Sequence, residues 1–185
     1  MNREDFALLL DHLPHGKSGE AVKESLAQVV GDVQFTLLEV VVKPDVKFDL
    51  FEKVYIGAEE RDKVDHIKQR ISFDQLTVRA QQELEQAIRL IVVSREKELV
   101  AFLNKAGSIS VRSHTLEQLP SVGKKHLSAL LSEREKTPFE SFADVQKRIP
   151  HLVSVQELFI QRILAELKGI EKYYLFVKPP RREQY

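Results

Sequence analysis

The sequence predicts an α+β fold: a small OB-like β-barrel module packed with a carboxy-terminal, all-helical helix-hairpin-helix module. Three observations predict it. Short apolar runs broken by turn residues fill the first 76 residues, helical spacing takes over from Thr77, and a Leu-Pro-Ser-Val-Gly turn separates short helical stretches around residue 120. The chain then divides into an OB-like β module (1–76), a helical connector (77–107), a helix-hairpin-helix domain (108–170) and a carboxy-terminal strand with a basic tail (171–185).

In the first module, Phe6–Leu10 is a compact apolar run, and Pro14–Gly19 reads as a loop. The stretch 35–42 (FTLLEVVV) is rich in β-branched and aromatic residues and stops at Pro44-Asp45. A short strand comes next at Lys53–Ile56, closed by Gly57, and residues 61–73 suggest a further strand pair. Four or five short strands in about 75 residues suit a small barrel or a compact sheet.

Helix formation begins at Thr77, a good N-cap, with Leu84, Ala87, Ile88 and Ile91 on one face. Ser94 restarts a helix that carries Leu99, Phe102 and Leu103 and ends near Gly107. One short helix ends before Pro120, and the next runs from about Gly123 to Arg134. Ser141 with Asp144, and Ser154 with Glu157, have capping-box spacing for two more helices, stopped by Pro150 and Gly169. Tyr173–Val177 (YYLFV) reads as a final strand that needs the amino-terminal sheet as its partner, and KPPRREQY is a basic tail.

Composition removes several classes of function. The chain has 185 residues, no cysteine and 30% charged residues, so disulfides, thiol nucleophiles and zinc-thiolate sites are absent. No apolar run approaches the roughly 18 residues that span a bilayer, and the amino terminus lacks the pattern of a secretory signal, so a cytoplasmic setting is expected. The formal net charge is zero, but the halves differ. Residues 1–103 hold 14 Lys and Arg against 19 Asp and Glu; residues 104–185 hold 14 against 9. Such an asymmetry hints at an electrostatic partner for the carboxy-terminal half.

The segment 116–131 (LEQLPSVGKKHLSALL) carries the chemistry. A helix-hairpin-helix presents unpaired N–H groups and the positive end of a helix dipole, against which a phosphate oxygen can sit. Here Leu119-Pro120-Ser121-Val122-Gly123 supplies the turn, and Lys124, Lys125 and His126 open the next helix. Val122 is expected to join Leu116, Leu119, Leu127 and Leu130 in a small core. The amides of Gly123, Lys124 and Lys125 are expected to face outward. Lys136 and Arg134 are expected to assist, through an attraction that weakens with salt. The pattern has two departures: Ser121 occupies its first glycine, and Leu127 replaces a small residue at the helix crossing. Phe139–Ile149 and then Pro150–Leu167 have the spacing of a second copy, whose turn lacks glycine and is expected to be structural, although Lys147 and Arg148 could widen the basic surface.

The chain resembles an archaeal family classed as a domain of unknown function, with an OB-like amino-terminal module and a carboxy-terminal helix-hairpin-helix. The matching segments are Leu13-Pro14-His15-Gly16, 54–68 (VYIGAEERDKVDHIK), 119–126 (LPSVGKKH), 138–142 (PFESF) and 173–177 (YYLFV), in order along almost the whole chain. The resemblance implies RNA or DNA binding. Genes of that family tend to lie near those for an RNA polymerase subunit, a ribosomal protein and an rRNA dimethyltransferase, which tilts the implication towards RNA or ribosome biogenesis.

Other constellations carry less. Gly16-Lys17-Ser18 has the ending of a P-loop, but Asp11 stands where the first glycine is required. Asp11, His12 and His15 read as a polar loop rather than a metal site, and Asp62, Asp65 and His66 as a solvated, ion-paired face. His126 suits either a phosphate contact or a plain surface position. Tyr55 and Tyr174 are possible stacking faces for unpaired bases, whereas Phe73 and the inward member of Tyr173 and Tyr174 suit the core. The expectation is a non-enzymatic nucleic-acid-binding protein without metal or cofactor. RNA is favoured over DNA, contact is with the backbone, and no membrane is involved. The rival is a protein-interaction module of the transcription or translation machinery.

Overall fold

The computed structural model describes residues 4–17, 24–111 and 113–179. The basic tail beyond Pro179 and most of the Lys17–Lys23 loop lie outside the described residues. The chain forms two units, 1–88 with 166–185 and 89–165, so that the division falls inside two of its helices.

The first unit contains β1 (Phe6–Leu13), β2 (Leu26–Gly31), β3 (Leu37–Val42), β4 (Lys53–Tyr55) and β5 (Val64–Arg70). They form one curled antiparallel half-barrel in the order β4-β1-β2-β3-β5, with β4 and β5 as its edges. One face collects Ala7, Leu9, Ala27, Val29, Leu38, Val40, Val54 and Val64. The other carries Leu8, Leu26, Val30 and Leu37, together with the polar side chains of Asp11, Gln28 and Glu39. Strands β2 and β3 are buried along their whole length.

The polar side chains on that second face are all satisfied. Gln28 accepts the Thr77 amide at 2.8 Å and donates to the Gln75 carbonyl at 3.1 Å. The Thr77 hydroxyl donates to Asp11 at 2.7 Å and also caps α1 (Val78–Ser94) by accepting the Ala80 amide. Glu39, wholly buried, pairs with Lys17 and accepts from Gln69 at 3.1 Å. Burial alone would push the Glu39 carboxyl up, but the hydrogen bond and charge of Lys17, with Gln69 and Gln28, outweigh it and hold the pKa below the ordinary glutamate value.

The observed backbone corrects several sequence expectations. The stretch 61–73 is one strand leading into a 3-10 turn (Phe73–Gln75), not a strand pair. Tyr173–Val177 is not a strand. It is irregular backbone held by the buried carboxylate of Glu166, which accepts from the amides of Leu175, Phe176 and Val177 at 2.8, 3.0 and 2.8 Å. The Lys178 amide then donates to the Gln34 carbonyl. A buried carboxylate on three amides of one loop is a stronger local tie than a two-residue ladder. The same device recurs at Glu4, which accepts from Val33, Gln34 and Thr36 at 2.9, 2.9 and 3.1 Å.

The second unit takes the end of α1, then α2 (Glu96–Lys105), a small hairpin of β6 (Ser108–Ser110) and β7 (Ser113–His114), a 3-10 turn (Thr115–Gln118), α3 (Lys124–Lys136), α4 (Phe142–Arg148) and most of α5 (Val155–Leu167). Its core includes Leu116, Leu130, Phe142, Val145, Phe159 and Ile163. Rings of Phe102 and Phe142 pack on Phe159 with centroids 6.1 and 5.7 Å away. The helix expected before Pro120 is only the four-residue 3-10 turn, so the hairpin has a long helix on one side alone. No helix among the described residues is long and apolar enough to cross a membrane.

Candidate nucleic-acid interface

The hairpin is built from its first flank. His114 and Glu117 close a reciprocal cap on the 3-10 turn: the Leu116 amide donates to His114 Nδ1 at 3.1 Å, and the His114 amide to Glu117 at 2.8 Å. Burial, then the nearby charge of Arg134, lowers the His114 pKa, which favours the neutral ring that can accept that bond. Arg162, 2% exposed, donates from Nη1 to the Gln118 carbonyl at 2.7 Å and so fixes the chain where it enters the turn.

The turn itself runs Leu119-Pro120-Ser121-Val122, with the Val122 amide on the Leu119 carbonyl at 3.2 Å and Ser121 at φ 63°. Proline second and positive φ third is the type II arrangement, which is why glycine suits position 121 and serine is strained there. Val122 turns inward and is buried with Leu116, Leu119 and Leu130, while Leu127 is half-buried. Gly123 is the N-cap of α3 in extended geometry, and the Leu127 amide closes the first intrahelical bond on its carbonyl at 2.9 Å.

These residues leave the start of α3 uncapped. No side chain caps it, and its first turn carries no acid. Among the described residues, α1 and α4 have side-chain caps from Thr77 and Ser141, and α2 and α5 have Glu96, Glu98 and Glu157 in their first turns. Instead, α3 opens with exposed Lys124 and Lys125, a charge placement that the helix dipole disfavours unless an anion joins it. A Cβ at Gly123 would meet nothing within 4 Å, so the space beside that residue is open. The His126 Nδ1–H donates to the Ser121 carbonyl at 2.9 Å and braces the turn from within.

The structure therefore groups Ser121, Val122, Gly123, Lys124, Lys125 and His126. It does not bring Arg134 or Lys136 to them. Arg134 donates to the Leu103 and Ala106 carbonyls, both at 2.8 Å, and closes the end of α2. Lys136 pairs with Glu133 at 2.6 Å in the last turn of α3, about 18 Å along the axis from Lys124. Arg148 is likewise committed, to the Glu133 and Thr137 carbonyls, to Asp144 and to the Phe139 ring. Tyr55 packs edge-on against Phe6 at 5.3 Å, lies over Gly57 and accepts the Glu59 amide, which commits most of its surface to structure. Tyr174 is half-buried in the first unit, beside a cleft.

Asp11 and His12 are structural in this arrangement: Asp11 serves Thr77, and His12 meets Ser25 at 3.0 Å and the Phe48 ring. Asp65 and His66 pair at 2.6 Å on an exposed face. Sequence reasoning missed Arg162, because a lone arginine in an apolar helix carries no spacing signal for the carbonyl it serves.

Comparisons with known proteins place the chain. A family model described as a protein of unknown function, DUF655, matches residues 3–178. The chain belongs to that family. The uncharacterized protein MJ0038 of Methanocaldococcus jannaschii is 40% identical over 176 residues, covering 95% of this chain and 80% of that protein. The crystal structure of Af1531 from Archaeoglobus fulgidus, likewise assigned to DUF655, superimposes with a TM-score of 0.88 at 42% identity, covering 95% of this chain and all of that one. This DUF655 chain thus has archaeal relatives across almost its whole length.

Proposed function

We propose that the chain is a non-enzymatic nucleic-acid-binding protein that captures a backbone phosphate at the hairpin 119–126, with RNA the favoured partner. In this reading the hairpin is the working half of a helix-hairpin-helix, and the curled sheet of the first unit is OB-like. One observation carries the reading: α3 starts with Gly123, exposed Lys124 and Lys125, no side-chain cap and no acid. Free N–H groups, a dipole end and two cations at one exposed turn have the chemistry of a phosphate site. Because phosphate contacts carry no base information, the hairpin supports sequence-neutral binding.

A single such contact gives modest affinity with a shallow salt dependence. A second reading, a protein-interaction module of the transcription or translation machinery, is favoured by the formal net charge of zero. The test replaces Lys124 and Lys125 by Glu and measures binding to single-stranded RNA, duplex RNA and duplex DNA at low and moderate salt. The proposal expects wild type to bind at low salt and the variant to lose most of that affinity. Equal weak binding of all three by both proteins would leave the hairpin without a role and favour the protein partner. Preference for duplex DNA would overturn the choice of RNA.

A further inference from the structure

A cleft of about 690 Å³ lies within the first unit, remote in sequence from the hairpin. Its walls come from the start of β3, the end of β5 with the 3-10 turn at Phe73–Gln75, the end of α5 and the segment 174–178. The volume falls in the range of small-molecule sites, roughly 300–1,000 Å³. Buried Leu37, Ile71 and Val177 supply apolar lining.

Two kinds of side chain set its chemistry. Phe73 and Tyr174, both half-buried, contribute aromatic rings to the same cleft. Arg70, Lys168 and Lys178 contribute cations: Lys168 Nζ sits 5.3 Å from the Phe73 ring centre, and Arg70 donates to the carbonyls of Lys178 and Pro179. The Glu166 carboxylate in the wall is turned onto three backbone amides, so its charge is engaged away from any ligand. Asp74 is the exposed acid among the lining residues and suits a base's exocyclic amine.

Apolar lining, two rings and the two lysines match a ligand that is flat and apolar at one end and anionic at the other, Arg70 being engaged on carbonyls of the wall. We infer that this cleft binds a nucleoside phosphate, with the base against Tyr174 and the phosphate at Lys168, which lies over the Phe73 ring, and at Lys178. The ligand is either a free nucleotide or one unpaired nucleotide of a strand; the recognising chemistry is the same. Ring stacking tolerates any base, and the cations tolerate any phosphate, so sequence preference is weak. The inference stands apart from the hairpin, whose residues belong to the other unit.

The test is a titration of the full-length protein, isotopically labelled, tracked through amide chemical shifts. The probes are AMP, UMP, inorganic phosphate, hexaadenylate and hexauridylate. Saturable shifts at Phe73, Asp74, Lys168 and Tyr174 are expected with the nucleotides and not with phosphate. Tyr174→Ala is expected to weaken binding about tenfold, the scale of one lost stacking contact. Tyr174→Leu keeps apolar volume without the ring and is expected to do the same if the alanine variant folds poorly. The exposed Lys168→Ala is expected to weaken nucleotides several-fold, read at the amides of Phe73, Asp74 and Tyr174. Tighter binding of the hexanucleotides through the same residues supports a strand as the source; equal or weaker binding supports a free nucleotide. The inference is overturned if phosphate alone reproduces the shifts, if no probe shifts these amides at millimolar concentration, or if Tyr174→Leu binds as wild type does.

Discussion

Replacing Glu166 by Gln tests how the first unit holds its carboxy-terminal segment. The carboxylate is 1% exposed and accepts from Leu175, Phe176 and Val177 at 2.8, 3.0 and 2.8 Å. A hydrogen bond to a charged group contributes about 1.5–3 kcal/mol, against about 1 kcal/mol for a neutral one. Glutamine keeps the shape, drops the charge and turns one acceptor into a donor aimed at an N–H. The buried Val177 amide then has little access to water, whereas the half-buried Leu175 and Phe176 amides recover part of the loss from solvent. The sum for Glu166→Gln is a cost of about 2–3 kcal/mol, and for Glu166→Ala about 3–5 kcal/mol. Urea unfolding monitored by far-ultraviolet circular dichroism gives the total, and amide exchange locates it. Exchange at residues 175–177 is expected to quicken by a factor of roughly 30 or more. A Glu166→Gln protein within about 0.5 kcal/mol of wild type, with unchanged exchange there, would refute the reasoning.

Three further perturbations test particular contacts in the two units. Ser121→Gly relieves a left-handed residue worth about 1–2 kcal/mol and adds back about 0.5–1 kcal/mol of chain entropy, so a net gain near 0.5–1 kcal/mol is expected in thermal or urea unfolding; a loss of stability would show that the serine side chain has an unseen role. Because the folded-state pKa of Glu39 is depressed, its contribution is present above the unfolded glutamate pKa and fades as pH falls through the folded value. Glu39→Gln should therefore flatten the acid limb of a stability-against-pH curve, and an unchanged limb would contradict the Lys17 pairing. Arg134→Met removes two bonds to carbonyls at the end of α2, at a cost of about 2 kcal/mol, and should leave the proposed nucleic-acid affinity unaltered once the folded fraction is matched; lost affinity at full stability would return Arg134 to the proposed phosphate site.

Much of this architecture is legible along the chain, and the exceptions have physical causes. The starts of α1 and α4 announce themselves through Thr77 and Ser141, because capping is local chemistry written in neighbouring residues, whereas Ser94 closes α1 and α2 begins after Arg95 without a side-chain cap. Strand β2 is silent. Both of its faces are buried, so LAQVVG lacks the alternation that marks a half-buried strand. The segment 173–177 has the composition of a strand, yet one carboxylate from α5 claims its amides, and that partner is invisible to any local pattern. At the hairpin, the inward Val122 and the outward Lys124 and Lys125 are consequences of turn geometry. The fates of Arg134 and Lys136 depend on where α2 ends and on Glu133, so charge alone misplaces them. The cleft, gathered from four stretches of chain, could not be read in sequence at all, although two of its residues, Phe73 and Tyr174, stand out as aromatics.

The most direct measurement of the central claim tracks the backbone amides of Gly123, Lys124 and Lys125 while single-stranded RNA is added at low and then moderate salt. Capture of a phosphate at the start of α3 predicts that these three amides move first, saturate together and return towards their free positions as salt rises. RNA binding that leaves all three unmoved, or that persists unchanged in the Lys124→Glu, Lys125→Glu protein, would contradict it.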